Sequence, residues 1–139
     1  MQEIVYQAGA ITFRQDKGEL KILLIRSKKD PSKWIFPKGH IECDETAQQA
    51  CIRELFEEAG VEGEIVGKAG DLEFMLKDKS YKVIYYLCRY LKKSGEGEAG
   101  RSPGWFGVEK AIEKLSFANS RELLSESLKK LNYITVKQV

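Results

Sequence analysis

Histidine is nearly missing from this chain: among 139 residues there is one, His40. A Ser/His/Asp catalytic set has little room here, and none is visible. Cysteine is scarce too. Cys43, Cys51 and Cys88 are odd in number, scattered, and without metal-ligand spacing. Reduced thiols in a cytoplasmic protein are the simplest account. No apolar run is long enough to span a membrane, and the residues from Met1 onward lack a signal-peptide pattern. A large charge imbalance is also absent. The net charge of +2 makes no case for bulk nucleic-acid binding, although local basic patches can still hold phosphates. Internal repeats and low-complexity tracts are lacking. Length and composition therefore suit one ordinary globular domain over residues 1–139, long enough to bury a real core, as a monomer or homodimer.

What the chain does have is concentrated between Phe36 and Val61, FPKGHIECDETAQQACIRELFEEAGV. A Pro-Lys-Gly turn opens it, with proline fixing one backbone angle and glycine permitting unusual ones. Thr46 with Gln49 three positions on predicts a capping box and a helix start, and Gly60 predicts the C-cap. At about 100° per residue, Glu58 lies about 40° round from Glu54, and Glu57 about 60° round on the other side. The three carboxylates share one narrow sector, beside the apolar arc of Ala47, Cys51, Ile52 and Leu55. Like charges at i, i+3 and i+4 repel. Such a face is either simply solvated or compensated, and a hard divalent cation with oxygen ligands is the obvious compensation.

The stretch as a whole resembles the Nudix hydrolase signature at every fixed position: Gly39, five residues, Glu45, seven residues, then Arg53-Glu54-Leu55-Phe56-Glu57-Glu58-Ala59-Gly60-Val61. The resemblance implies an α/β fold, an α/β/α sandwich with a mixed central β-sheet. It also implies divalent-metal-dependent hydrolysis of a nucleoside diphosphate linked to another group, with Mg²⁺ or Mn²⁺ as the ion. Carried onto these positions, it makes Glu54, Glu57, Glu58 and the carbonyl of Lys38 metal ligands. Glu45 and Arg53 become a brace between loop and helix. Many members add a carboxylate a few residues before a tryptophan, as metal ligand or general base, and Glu98, seven residues before Trp105, fits that place. The Lys38 side chain is a candidate phosphate contact.

The remaining segments read around this centre. Ile4–Phe13 and Leu20–Ile25 suggest a hairpin across Asp16–Glu19, with small residues at Ala8, Gly9 and Ala10 marking a close approach of ligand or helix. Arg26, Lys28 and Lys29 form a basic loop, most simply a solvated one. Val61–Gly67 reads as a short strand. Asp71–Lys77 and Tyr81–Leu91 then read as a hairpin across Asp78-Lys79-Ser80, the second arm apolar on both faces and hence central. Tyr81 and Tyr86 are the candidates to stack a base, worth about 1–3 kcal/mol, against a core role for either. Lys79 and Lys82 are candidate phosphate contacts. Lys92–Pro103 is glycine-rich and flexible, Gly104–Ala111 resembles the family's strand leading into a helix, and Asn119–Leu131 is amphipathic and predicts packing on the sheet. The turn Phe36–Glu42, the strand Val83–Leu87 and the Gly104-Trp105-Phe106 end together resemble diadenosine polyphosphate hydrolases, with a small-molecule nucleotide as partner and cleavage of diadenosine tetraphosphate to ATP and AMP implied. The alternatives are a diphosphoinositol polyphosphate phosphohydrolase or a (d)NTP pyrophosphatase. A non-catalytic sensing module is a remote third, since its signature glutamates would be broken and here none is.

Overall fold

The computed structural model describes residues 3–137, with side chains described from Glu3 to Leu131. In chain order the elements are β1 (Glu3–Asp16), β2 (Glu19–Arg26), β3 (Trp34–Ile35), β4 (Lys38–His40), α1 (Ala47–Ala59), β5 (Val61–Leu76), β6 (Lys79–Lys93), β7 (Gly104–Gly107), α2 (Val108–Lys114) and α3 (Ala118–Lys137). One sheet runs β3-β2-β1-β6-β5, with β4 added on β1 and β7 on β2. β1 and β6 are parallel, Gln7 opposite Val83 and Gly9 opposite Tyr85, while the other pairings are antiparallel. The sheet is therefore mixed, as expected.

Alternation along β6 sorts the core into two layers. Val83, Tyr85 and Leu87 face a cluster with Ala111 of α2, its C-cap residue Leu115, and Leu123, Leu124 and Leu131 of α3. Tyr86 and Cys88 face the opposite way, into a cluster with Ala50, Cys51, Leu55 and Ala59 of α1. The continuous apolar run of β6 thus reflects burial on both faces, and helices cover the sheet on both sides. Ala8 and Ala10 are small because they lie under α1.

The first hairpin turns where expected: Lys17 and Gly18, at φ 53° and 80°, link the paired residues Asp16 and Glu19. The second differs. Val61–Gly67 and Asp71–Lys77 are one long strand, β5, because irregularities between Ile65 and Gly67 and between Lys68 and Gly70 bend it without ending its pairing to β6. Its turn is Lys77-Asp78, Lys77 at φ 55°, so Lys79 and Ser80 already belong to β6. The amphipathic C-terminal helix is present as α3, with Leu123, Leu124 and Leu131 buried.

Both ends of α1 are fixed by local chemistry. Thr46 and Gln49 form the reciprocal capping box, and Gly60 closes the helix in the left-handed region at φ 70° with its N–H donated to Phe56. A Cβ at Gly60 would also overlap the Gly95 carbonyl, so the helix end and the loop after β6 are packed through that glycine. Gly60→Ala is expected to lower stability by at least about 1–2 kcal/mol from backbone strain alone; a denaturant midpoint equal to wild type would contradict this.

Candidate functional site

The site begins with Arg53. Its Nε and Nη2 grip Glu45 at 2.6 and 2.9 Å, Nη2 also donates to the His40 carbonyl at 2.9 Å, and Nη1 donates to Glu54 at 2.7 Å and Glu57 at 3.1 Å. The contact expected of Glu45 and Arg53 is there: one planar, forked cation ties the loop before α1 to the helix. Hydrogen bonding from Arg53 holds the Glu45 carboxyl down at about 2. The lone histidine enters through its backbone, and its side chain is exposed.

One turn of α1 away, the carboxylates meet β4. The Glu54 carboxylate lies against Cα of Gly39, where any Cβ would collide with it. Glu58 Oε1 accepts the Lys38 N–H at 2.9 Å. Glu58 is 8% exposed, and burial pushes its carboxyl up to about 7 despite Arg101 and the Lys38 N–H. Arg101 Nη2 donates to Glu58 Oε2 at 3.0 Å while its Nε donates to Glu98 Oε1 at 2.6 Å. Glu98 Oε2 in turn accepts from Lys28 at 3.2 Å. The loop carboxylate singled out from sequence is therefore joined to Glu58 through a shared arginine.

On the α2/α3 face, Lys38 Nζ donates to Gln7 at 3.4 Å and lies 5.3 Å from the centroid of the Phe74 ring. Burial pulls its ammonium below the usual lysine value; Glu58 opposes that pull and nearby Arg101 and Lys29 add to it. An incoming phosphate would supply the anion this amine is short of. Phe74 stacks on Tyr81 with ring centroids 4.8 Å apart and planes 2° from parallel.

Tyr86 does not join this group. It is 8% exposed and packs in the cluster under α1, on the opposite face of β6 from Tyr81. The expectation that Tyr86 stacks a base is thereby corrected to a core role. Lys79 pairs with Glu3 at 3.8 Å, and Lys82 pairs with Glu73 at 3.5 Å, alternating to the Tyr86 side of β6. Three contributors escaped the sequence: Arg101, Phe74 and Gln7. Phe74 had a usable signal, since it stands directly opposite Tyr81 across the second hairpin. Arg101 and Gln7 had none, their partners being remote in sequence.

Among the described residues, no three acidic side chains already converge as a metal centre. The donor chemistry nonetheless fits a hard divalent ion. It is all oxygen, Glu54 and Glu58 both press on the Lys38–Gly39 backbone, and Glu58 is a buried carboxylate short of positive charge. Glu57, which is half exposed, is held by Arg53 at 3.1 Å beside them.

The mixed sheet between two helical layers, with an acidic helix set against a glycine turn, is an α/β architecture. The NUDIX domain family matches residues 5–127, and this chain belongs to it. It is a Nudix hydrolase, a pyrophosphohydrolase acting on phosphoric anhydride bonds. It is 33% identical over 113 residues to diphosphoinositol polyphosphate phosphohydrolase 3-beta of Bos taurus, covering 78% of this chain and 68% of that protein. The human 3-beta protein is 32% identical over the same length and shares. The crystal structure of C. elegans Ap4A hydrolase superposes with a TM-score of 0.76 at 27% identity, covering 92% of this chain and 98% of that one. A Nudix hydrolase from Nitrosomonas europaea, at 19% identity and a TM-score of 0.77, shares the fold.

The Glu45–Arg53 clamp makes a pH prediction. A carboxyl held at about 2 in the fold and at 4.5 outside it adds stability above pH 4.5, and that increment is lost as pH falls toward 2. Thermal melts from pH 6 to 2.5 are expected to show Tm falling through this window, with a shallower fall in Glu45→Gln. Parallel curves for the two proteins would refute the clamp's contribution.

Proposed function

We propose that this Nudix hydrolase cleaves dinucleoside polyphosphates asymmetrically, with diadenosine tetraphosphate giving ATP and AMP. The observation that carries this is the stacked Phe74–Tyr81 pair beside Lys38 Nζ, which sets an aromatic surface next to a phosphate-seeking cation whose own backbone leads to Glu54 and Glu58. A purine stacked there gains about 1–3 kcal/mol, and its phosphates run from Lys38 toward the glutamates. The likeness to C. elegans Ap4A hydrolase supports the same choice.

Glu54, Glu57, Glu58 and the Lys38 carbonyl would hold Mg²⁺ or Mn²⁺, with Glu98 engaged by Arg101 beside them. When bound, such ions neutralise phosphate oxygens and lower the pKa of a coordinated water. Lys38 Nζ orients the chain of phosphates by donating to a bridging or terminal oxygen. The attacking water passes its proton to a carboxylate. Glu98 is a weak base, because hydrogen bonds from Arg101 and then Lys28 hold its carboxyl below the ordinary range. Glu54 or Glu98 takes that proton, and Arg53 and Glu45 position Glu54 without touching substrate. Substitution occurs at phosphorus, with no covalent intermediate. The exposed Cys43 thiol and the buried Cys51 and Cys88 thiols suit a cytoplasmic setting.

The similarity to diphosphoinositol polyphosphate phosphohydrolases favours a second reading, with an inositol pyrophosphate as substrate. Such a ligand has no base to stack and needs several cations at once. Arg53, Arg101 and Lys28 are already paired with glutamates.

With Mg²⁺ and a panel of diadenosine tetraphosphate, diadenosine hexaphosphate, dNTPs, ADP-ribose and a diphosphoinositol phosphate, the fastest conversion is expected for diadenosine tetraphosphate, to ATP plus AMP. Faster release of phosphate from the diphosphoinositol would favour the second reading. Glu57→Gln and Glu58→Gln are expected to reduce kcat by on the order of 10²-fold or more while the fold persists by circular dichroism. Near-normal turnover in both would sink the assignment of these carboxylates.

A further inference from the structure

Arg101 is 8% exposed, and nothing in the family signature assigns it a task. It stands in the loop between β6 and β7 and joins three separate segments. Its Nη2 donates to Glu58 of α1 at 3.0 Å, its Nε to Glu98 of its own loop at 2.6 Å, and its Nη1 to the Arg26 carbonyl at the end of β2 at 3.1 Å. Its own carbonyl accepts the Arg26 N–H at 2.6 Å, so the backbone as well as the side chain is fixed in place. A buried guanidinium is tolerated only with paired charge and filled donors. Here that charge comes from two carboxylates, one of which, Glu58, also stands in the cradle for a divalent ion. Both cations need the same carboxylate.

We propose that Arg101 is a positioning residue that serves as an internal counter-cation: it holds Glu58 in the ion-free protein, yields it when a divalent ion binds, and remains on Glu98. This role rests on the glutamates of α1 holding such an ion. It has a definite sign. Competition for Glu58 and repulsion between the two cations both weaken ion binding, so deleting the guanidinium tightens it. An arginine that merely props up the loop would have the opposite effect when removed, loosening the site.

Mn²⁺ titration followed by electron paramagnetic resonance, on the full chain without substrate, tests this. Arg101→Gln is expected to lower the Mn²⁺ Kd by on the order of tenfold, the size of one charge-assisted hydrogen bond, while Arg101→Lys, which keeps the cation, stays near wild type. An unchanged or weaker Kd in Arg101→Gln overturns the proposal while leaving the wild-type metal site intact. Absence of a stoichiometric Mn²⁺ site in wild type would instead remove the metal assignment, and the role of Arg101 with it. Wild-type protein supplies a check independent of any variant's folding. Saturating Mg²⁺ is expected to move the Arg101 Nη2 resonances in ¹⁵N spectra while the Nε–H signal, bonded to Glu98, stays protected. Nη2 resonances indifferent to Mg²⁺ would refute the exchange of partners.

Discussion

The Arg53 guanidinium is the constraint on which the rest of this site depends. Three glutamates in one sector of α1 repel one another, and the helix tolerates them because Arg53 spends its donors on Glu54, Glu57, Glu45 and the His40 carbonyl together. The same contacts decide where the preceding loop goes. Holding Glu45 and His40 against α1 brings β4 onto the helix, and β4 carries the Gly39 Cα that admits the Glu54 carboxylate and the Lys38 N–H that donates to Glu58. The capping box at Thr46 fixes the helix start within that loop, so the bend of the chain and the placement of charge are one event.

A second arginine divides the acidic groups. Arg53 takes Glu54 and Glu57, and Arg101 takes Glu58 and Glu98. Between the two, each carboxylate is engaged but Glu58 is under-compensated, since its burial still drives the carboxyl up to about 7. A buried acid of that kind costs stability, a cost that makes physical sense where a stronger cation is to be received. On the far side of Lys38 the surface changes from charge to aromatic rings. The acidic cluster and the aromatic pair are thus adjacent because Lys38 touches both: its backbone Glu58 and its side chain Phe74.

Much of this was legible in the sequence because it is local. The capping box, the glycine C-cap and the glutamate sector all lie within one loop and helix, where spacing translates directly into contact, and the Glu45–Arg53 brace in the same stretch was implied by its resemblance to the family signature. The central position of β6 was legible from its apolar run. That same run hid which face each tyrosine takes: with both faces covered, Tyr81 and Tyr86 look alike until the strand is placed, and of the two Tyr81 stacks on Phe74 while Tyr86 packs under α1. The second hairpin was legible, but its first arm was read as two strands, because irregular pairing carries β5 past Gly67 and Gly70, residues that read as a break. Arg101 was out of reach for a different reason. Its partner Glu58 is 43 residues away, and a single arginine among glycines gives no periodic signal.

The most direct test of the central claim, that the carboxylates of α1 and the Lys38–Gly39 turn form one divalent-ion site, is anomalous diffraction from crystals soaked in Mn²⁺. An anomalous peak ligated by Glu58, Glu54 or Glu57 and the Lys38 carbonyl, with Glu57 released from Arg53, is the predicted result. Ordered crystals with Glu57 still on Arg53 and no manganese at α1 would contradict it.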